Sequence, residues 1–257
     1  MYASYNGPLY QVRRSSDGAT ATIGLLSTGG YANAATQDAF CANTTCVITV
    51  IYDQSPQHND LTIEGPGGNG GQDVGANASA LLVMAGGNKV YGVYIAGQTG
   101  YRRNNTTGIA VNGQAEGTYI VASGTHVNAG CCFDYGNAET NSADTGNGHM
   151  DAVYLGTLCG PAPCSGSGPW VQADLENGLF PGSNDGNNSN PANTGNNSAF
   201  VTALLKNNGQ TTYALKGGTA HCPPSAATSQ CIRRARSCCA PAATTRTYRS
   251  ARSSRAC

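Results

Sequence analysis

The chain has 257 residues, 35 of them glycine and only 11% charged, with a formal net charge of zero. That is poor material for helices and good material for turns and short strands, in a length that suits one large all-β domain or two small ones. No stretch approaches the roughly 20 apolar residues that a membrane helix needs.

In chain order, residues 8–14 and 20–26 read as strands separated by a Ser-Ser-Asp-Gly turn. The opening Met-Tyr-Ala-Ser-Tyr-Asn-Gly-Pro has no basic start and no apolar run, so it is not a signal peptide, and a missing N-terminal segment is expected. Residues 35–41 suit a short helix. The β-branched run from Cys46 to Tyr52 predicts a strand buried on both faces. The glycine-rich stretch 65–71 is a flexible loop, since neither Lys-Ser/Thr nor a helix follows to make it a phosphate loop. Further strands are expected at 78–84, 89–95, 117–122, 150–155, 169–176, 199–205 and 211–216, with a helix as the alternative at 199–206. The Asn/Gly/Ser-rich stretch 182–198 reads as a long surface loop. Many short strands without a βαβ rhythm predict an antiparallel β-sandwich.

Two places in this order carry chemistry. Cys131 and Cys132 are adjacent, and neighbouring side chains on a strand point to opposite faces. Either they close a strained eight-membered ring, or they are two unrelated thiols, one buried and one exposed; the residues alone leave this open. The segment 169–177 alternates, with Val171, Ala173 and Leu175 facing a core. Trp170, Gln172, Asp174 and Glu176 then share the opposite face, two carboxylates beside an aromatic ring and an amide, as in a sugar-binding cleft. An ordinary solvated strand face is the plainer reading. His58, His126, His149 and His221 have no ligand spacing, so neither metal nor cofactor is expected.

Eleven cysteines point to an oxidising compartment, and six Asn-X-Ser/Thr sequons (Asn43, Asn77, Asn104, Asn105, Asn187, Asn196) fit a secreted glycoprotein. The zero net charge conceals a break. Up to Ala220 there are seven basic residues against fourteen acidic ones; from His221 there are seven arginines, five cysteines and no acid. A basic tail ordinarily suggests nucleic acid or a membrane, but this one has neither aromatic interleaving nor metal spacing and reads as foreign to what precedes it.

Seven motifs in order carry a resemblance: Phe40-Cys-Ala-Asn-Thr-Thr-Cys46, Ile51-Tyr-Asp-Gln-Ser55, Gly100-Tyr-Arg102, Gly124-Thr-His126, Cys131-Cys-Phe-Asp-Tyr-Gly-Asn-Ala-Glu139, Gly146-x-Gly-His-Met150 and Asp174-Leu-Glu-Asn177. Together they resemble the catalytic domain of fungal α-L-arabinofuranosidase B, glycoside hydrolase family 54. The resemblance implies a concanavalin-like β-sandwich over 1–218, followed by an aberrant Arg/Cys-rich tail over 219–257. It implies a secreted, monomeric enzyme that releases terminal arabinofuranosyl groups from arabinoxylan and arabinan in plant cell walls with retention. No cofactor, metal, nucleic acid or membrane is involved. The family's nucleophile falls on Glu176 and its sugar-binding residues on Asp174 and Asn177. Its vicinal disulfide falls on Cys131–Cys132, as a floor under the furanose ring, and its short-loop disulfide on Cys41–Cys46.

The departures are as specific. Gly178 stands where the family has a second sugar-binding Asn, and Pro161 stands where it has a stacking Trp. Cys159 and Cys164 can pair with each other, though nothing in the resemblance requires it. The family's acid/base Asp lies in a Gly-Gly-Asp-Asn motif that this sequence lacks. Codons for Pro241-Ala-Ala-Thr-Thr245, read one nucleotide earlier with suitable wobble bases, spell that motif. A frameshift near 217–221 is therefore expected, and with it a chain of doubtful activity. A non-catalytic carbohydrate-binding sandwich, or an inactive pseudoenzyme, is the alternative.

Overall fold

The computed structural model describes residues 3–66, 71–111, 114–130, 133–138, 150–159, 164–175, 179–180, 182, 192–208 and 213–219. Their named strands pair antiparallel, with one helix among the described residues. They fall into two compact units, one holding Met1–Gly108 and the other the described residues from Ile109 onward.

In the first unit, β1 (Tyr10–Arg14) and β2 (Thr20–Ile23) form the hairpin expected around the Ser-Ser-Asp-Gly turn. Helix α1 (Ala34–Phe40) begins where Asn33 caps it, its side-chain oxygen accepting from the Thr36 amide at 3.2 Å. The disulfide Cys41–Cys46 ties the end of α1 to β3 (Cys46–Ile51). With β4 (Leu61–Ile63) and β7 (Tyr101–Arg102) these strands make a five-stranded sheet in the order β2-β1-β3-β4-β7, and β5 (Leu81–Ala85) pairs with β6 (Asn88–Gly92) as a separate hairpin. The core is Val12, Ile23, Cys46, Ile48, Ala76 and Ala78. Strand β3 corrects one expectation: Cys46 and Ile48 are buried, but Val47 and Thr49 on its other face are only half-buried. Its β-branched residues satisfy strand propensity without needing a second core.

The second unit contains β8 (Glu116–Ser123), β9 (Asp134–Asn137), β10 (Asp151–Gly156), β11 (Trp170–Asp174), β12 (Leu179–Phe180), β13 (Phe200–Asn207) and β14 (Tyr213–Thr219). One sheet runs β12-β11-β10-β9 and another β14-β13-β8. They share one apolar cluster: Val153 and Leu155 from β10, Val171 and Ala173 from β11, and Val201, Ala203 and Leu205 from β13. Burying each larger aliphatic side chain there contributes about 1.5–3 kcal/mol. Strand β13 settles the 199–206 alternative, because only a period of two puts Val201, Ala203 and Leu205 on one face. Strands β4, β7, β9 and β12, of two to four residues, were not legible in the sequence.

Candidate active site

A polar face lies on β9, β10 and β11, on the side away from the apolar cluster. Asp134 on β9 stands opposite Tyr154 on β10, which stands opposite Gln172 on β11. One step along, Ala152 stands opposite both Gly136 and Asp174. Strand alternation therefore puts Asp134, Tyr154, Gln172 and Asp174 on one face, around a floor of Gly136 and Ala152. Gly136 has a steric reason: a Cβ there would collide with the Asp151 carbonyl oxygen and with Ala152.

The expected open face of β11 is corrected. Trp170 is 8% exposed and Gln172 is fully buried. The Trp170 indole donates to the Ser165 carbonyl at 2.8 Å, and the Gln172 amide donates to the Leu158 carbonyl at 2.6 Å. Both acceptors belong to the segment between β10 and β11, which the Cys159–Cys164 disulfide closes on itself. A buried indole N–H or amide needs a partner, and the carbonyls of this segment supply it. Neither residue is therefore a cleft-lining group; the polar part of the face lies at Asp174 and Asp134.

Asp174, at the end of β11, is 6% exposed. The Asp134 carboxyl has its Oδ1 buried without a hydrogen-bond partner. Burial first, and the charge of Asp174 second, push the Asp134 carboxyl up to about 8. It is thus a neutral acid at pH 7, able to donate a hydrogen bond where an ordinary aspartate only accepts. Tyr154 is fully buried; its hydroxyl accepts from the Leu158 amide at 3.2 Å. Its own ionisation is pushed up by burial, then by Asp134 and Asp174.

Of the sequence-derived site residues, Asp174 is placed on this face, and Cys41 and Cys46 form their disulfide in the first unit. Glu176, Asn177, Gly178, Cys131 and Cys132 lie outside the described residues, as do Pro161 and the stretch 220–257. Sequence reasoning missed Asp134 and Tyr154. Asp134 lay inside a motif already singled out, but its strand is too short and too rich in Gly and Asn to register as one. Among the described residues no group of three or more His, Cys, Asp or Glu side chains could hold a metal ion.

Comparisons with known proteins converge on this chain's family. The family profile described as "Alpha-L-arabinofuranosidase B, catalytic" matches residues 1–237. The chain is 55% identical over 226 residues to "Alpha-L-arabinofuranosidase B" of Emericella nidulans, covering 86% of this chain and 44% of that protein. It is 53% identical over 226 residues to "Alpha-L-arabinofuranosidase" of Hypocrea jecorina, with the same coverage. Among solved structures it matches a GH54 α-L-arabinofuranosidase soaked with a cyclic sulfate inhibitor, at 48% identity and a TM-score of 0.79, over 85% of this chain and 46% of that one. An arabinofuranosidase complexed with arabinofuranosyl-α-1,2-xylobiose matches at 47% identity and the same TM-score, also over 85% of this chain and 46% of that one. The chain belongs to the α-L-arabinofuranosidase B catalytic family. It spans 44% of the length of these curated relatives.

Proposed function

We propose that this scaffold is a retaining glycoside hydrolase domain for terminal α-L-arabinofuranosyl groups, with Glu176 as nucleophile. The observation that carries the reading is the placement of Asp174. It is buried on a polar sheet face beside a proton-holding Asp134, two residues before Glu176 in a chain of this family. In the proposed reaction the Glu176 carboxylate attacks the anomeric carbon and a glycosyl-enzyme forms, while an acid protonates the departing oxygen. Water then releases arabinose as that same group acts as base, which requires two carboxyls about 5–5.5 Å apart. Asp174 and Asn177 bind sugar hydroxyls, the Cys131–Cys132 disulfide underlies the ring, and Gly178 contributes backbone only.

Substrates of this reading are arabinofuranosyl-decorated cell-wall polysaccharides, such as arabinoxylan and arabinan. A chain with the disulfides Cys41–Cys46 and Cys159–Cys164 suits work outside the cell. The sequence 1–218 is proposed as the catalytic region and 219–257 as the product of a shifted frame. Without the Gly-Gly-Asp-Asn carboxyl, general acid catalysis worth roughly 10²–10⁴-fold is lost. A non-catalytic carbohydrate-binding role is favoured by that same absence.

The test is turnover of an aryl α-L-arabinofuranoside by the chain as it stands and by a version with the shifted frame restored. The restored version is expected to be at least about 10²-fold faster. Equal rates at the level of the relatives would overturn the acid/base argument. Sugar binding without turnover in both would favour the binding role.

A further inference from the structure

At one end of the apolar cluster in the second unit, four polar side chains meet, one from each of four strands. Glu116 begins β8 and stands opposite Asn207, the last residue of β13. Asp151 begins β10 and stands opposite Asn137, the last residue of β9. Strand alternation points all four inward, continuing the rows of Val153 and Leu155 and of Ala203 and Leu205. Asn207 is buried and the other three are half-buried. Each amide bridges. The Asn207 side chain accepts from the Glu116 backbone amide at 3.1 Å and donates to Asp151 Oδ2 at 2.7 Å. Asn137 Nδ2 donates to the Ala110 carbonyl at 2.8 Å and lies 3.4 Å from Glu116 Oε2. The Asn207 amide thus ties the start of β8 to the Asp151 carboxyl, and the Glu116 and Asp151 carboxyls come together between the two amides, close enough to share a hydrogen bond.

Two carboxylates cannot share a hydrogen bond unless one of them carries a proton. Neither Asn can neutralise a charge, and no Lys, Arg or His faces the pair from the four strands. The other ionisable groups on these strands are Tyr119, Asp134, Tyr135, Tyr154 and Lys206. By alternation Asp134 and Tyr154 sit on the opposite face of their sheet, and Tyr119 and Lys206 on the outer face of theirs; Tyr135 stands opposite Val153 at the edge of the sheet and is exposed. We propose that the Glu116–Asp151 pair is a proton-operated clasp joining the two sheets of this unit, closed in acid and loosened as the pH rises.

Burial first, then the hydrogen bond and charge of Asp151, push Glu116 up from 4.5 to about 7. A carboxyl whose folded value lies above its unfolded one stabilises fully below the unfolded value. That stabilisation is lost as the pH climbs through the folded value, here between about 4.5 and about 7. The clasp sits directly behind the candidate site: Asp151 and Asn137 point inward, while the adjoining Ala152 and Gly136 floor the face that carries Asp174. The inference does not depend on the proposed activity.

The experiment follows Tm against pH from 4 to 9 for the full chain, with amide hydrogen exchange of β9 and β10 alongside. Glu116→Gln and Asp151→Asn each supply a permanent N–H donor in place of the shared proton. The parent is expected to lose about 4 °C or more of Tm between pH 5 and 8, with faster exchange at 135–137 and 151–153 at the alkaline end. To separate the overlapping titration of Asp134, both substitutions are also made with Asp134→Asn in place. In that background the parent is expected to keep a slope that either clasp variant flattens. Equal slopes in parent and variants would overturn the clasp, as would pH-independent exchange at 135–137 in the parent. If Glu116→Gln fails to fold, Asp151→Asn carries the same comparison.

Discussion

Asp134 and Asp174 lie on the same face of one sheet, on strands that flank β10, and the charge of the second helps keep the first protonated. The pair divides the labour of two like carboxyls. Asp134 is held as a neutral donor beside a second carboxyl, an arrangement suited to a ligand rich in hydroxyl groups.

Replacing Asp134 by Asn keeps a neutral donor of the same shape. Arabinofuranoside affinity, measured by calorimetry, is expected to match the parent near pH 6. The parent should weaken as the pH passes through about 8, where the Asp134 proton is lost, while the variant stays flat. A parent whose binding is level from pH 6 to 9 would rule out a protonated Asp134 in the site.

Glu176→Gln, made in the frame-restored chain, removes the proposed nucleophile without changing its size. The rate on an aryl arabinofuranoside should fall by about 10⁴-fold or more, the scale seen when a covalent nucleophile is deleted. Retained turnover would move the nucleophile elsewhere.

Removing the Cys159–Cys164 bridge by a double change to Ser frees the segment that supplies carbonyls to Trp170 and Gln172. Closing so short a loop is worth about 2 kcal/mol. The variant is expected to melt roughly 4–8 °C lower by calorimetry. An unchanged Tm would mean that the segment is held by its hydrogen bonds alone. Gln172→Leu should cost about 1–3 kcal/mol by stranding the Leu158 carbonyl.

Gly136→Ala forces a methyl against the Asp151 carbonyl and Ala152. Denaturant unfolding should show a loss of about 1–3 kcal/mol. Gly117→Ala on β8, where a Cβ meets nothing within 4 Å, serves as the neutral control at about 0.5 kcal/mol or less. Equal effects at the two positions would show that the floor has room to spare.

The sequence made the long strands readable because they obey one rule at a time. Strand β13 alternates, β3 is β-branched, and the β1–β2 turn has its glycine at the end. The 35–41 helix was equally local. What alternation could not reveal is which outer face a loop will cover. Trp170 and Gln172 occupy positions that a solvated face would also offer, and the acceptors that bury them come from backbone carbonyls, which no side-chain pattern encodes. Asp134 was hidden for a related reason. Its environment is made first by burial and then by a carboxyl two strands away in space and forty residues away in sequence. The same is true of Glu116 and Asp151, whose pairing follows from sheet topology alone.

Trp170 is the chain's single tryptophan. Its indole is bonded to Ser165 and sealed at the start of the strand that ends in Asp174. Its fluorescence is therefore a native optical label for one place. Blue-shifted emission reports Ser165 seated against the Trp170 indole, and a red shift with easier quenching by iodide reports that contact opening. Opening, reduction or misassembly at this edge can thus be followed in the unlabelled chain, with no other indole to confuse the signal.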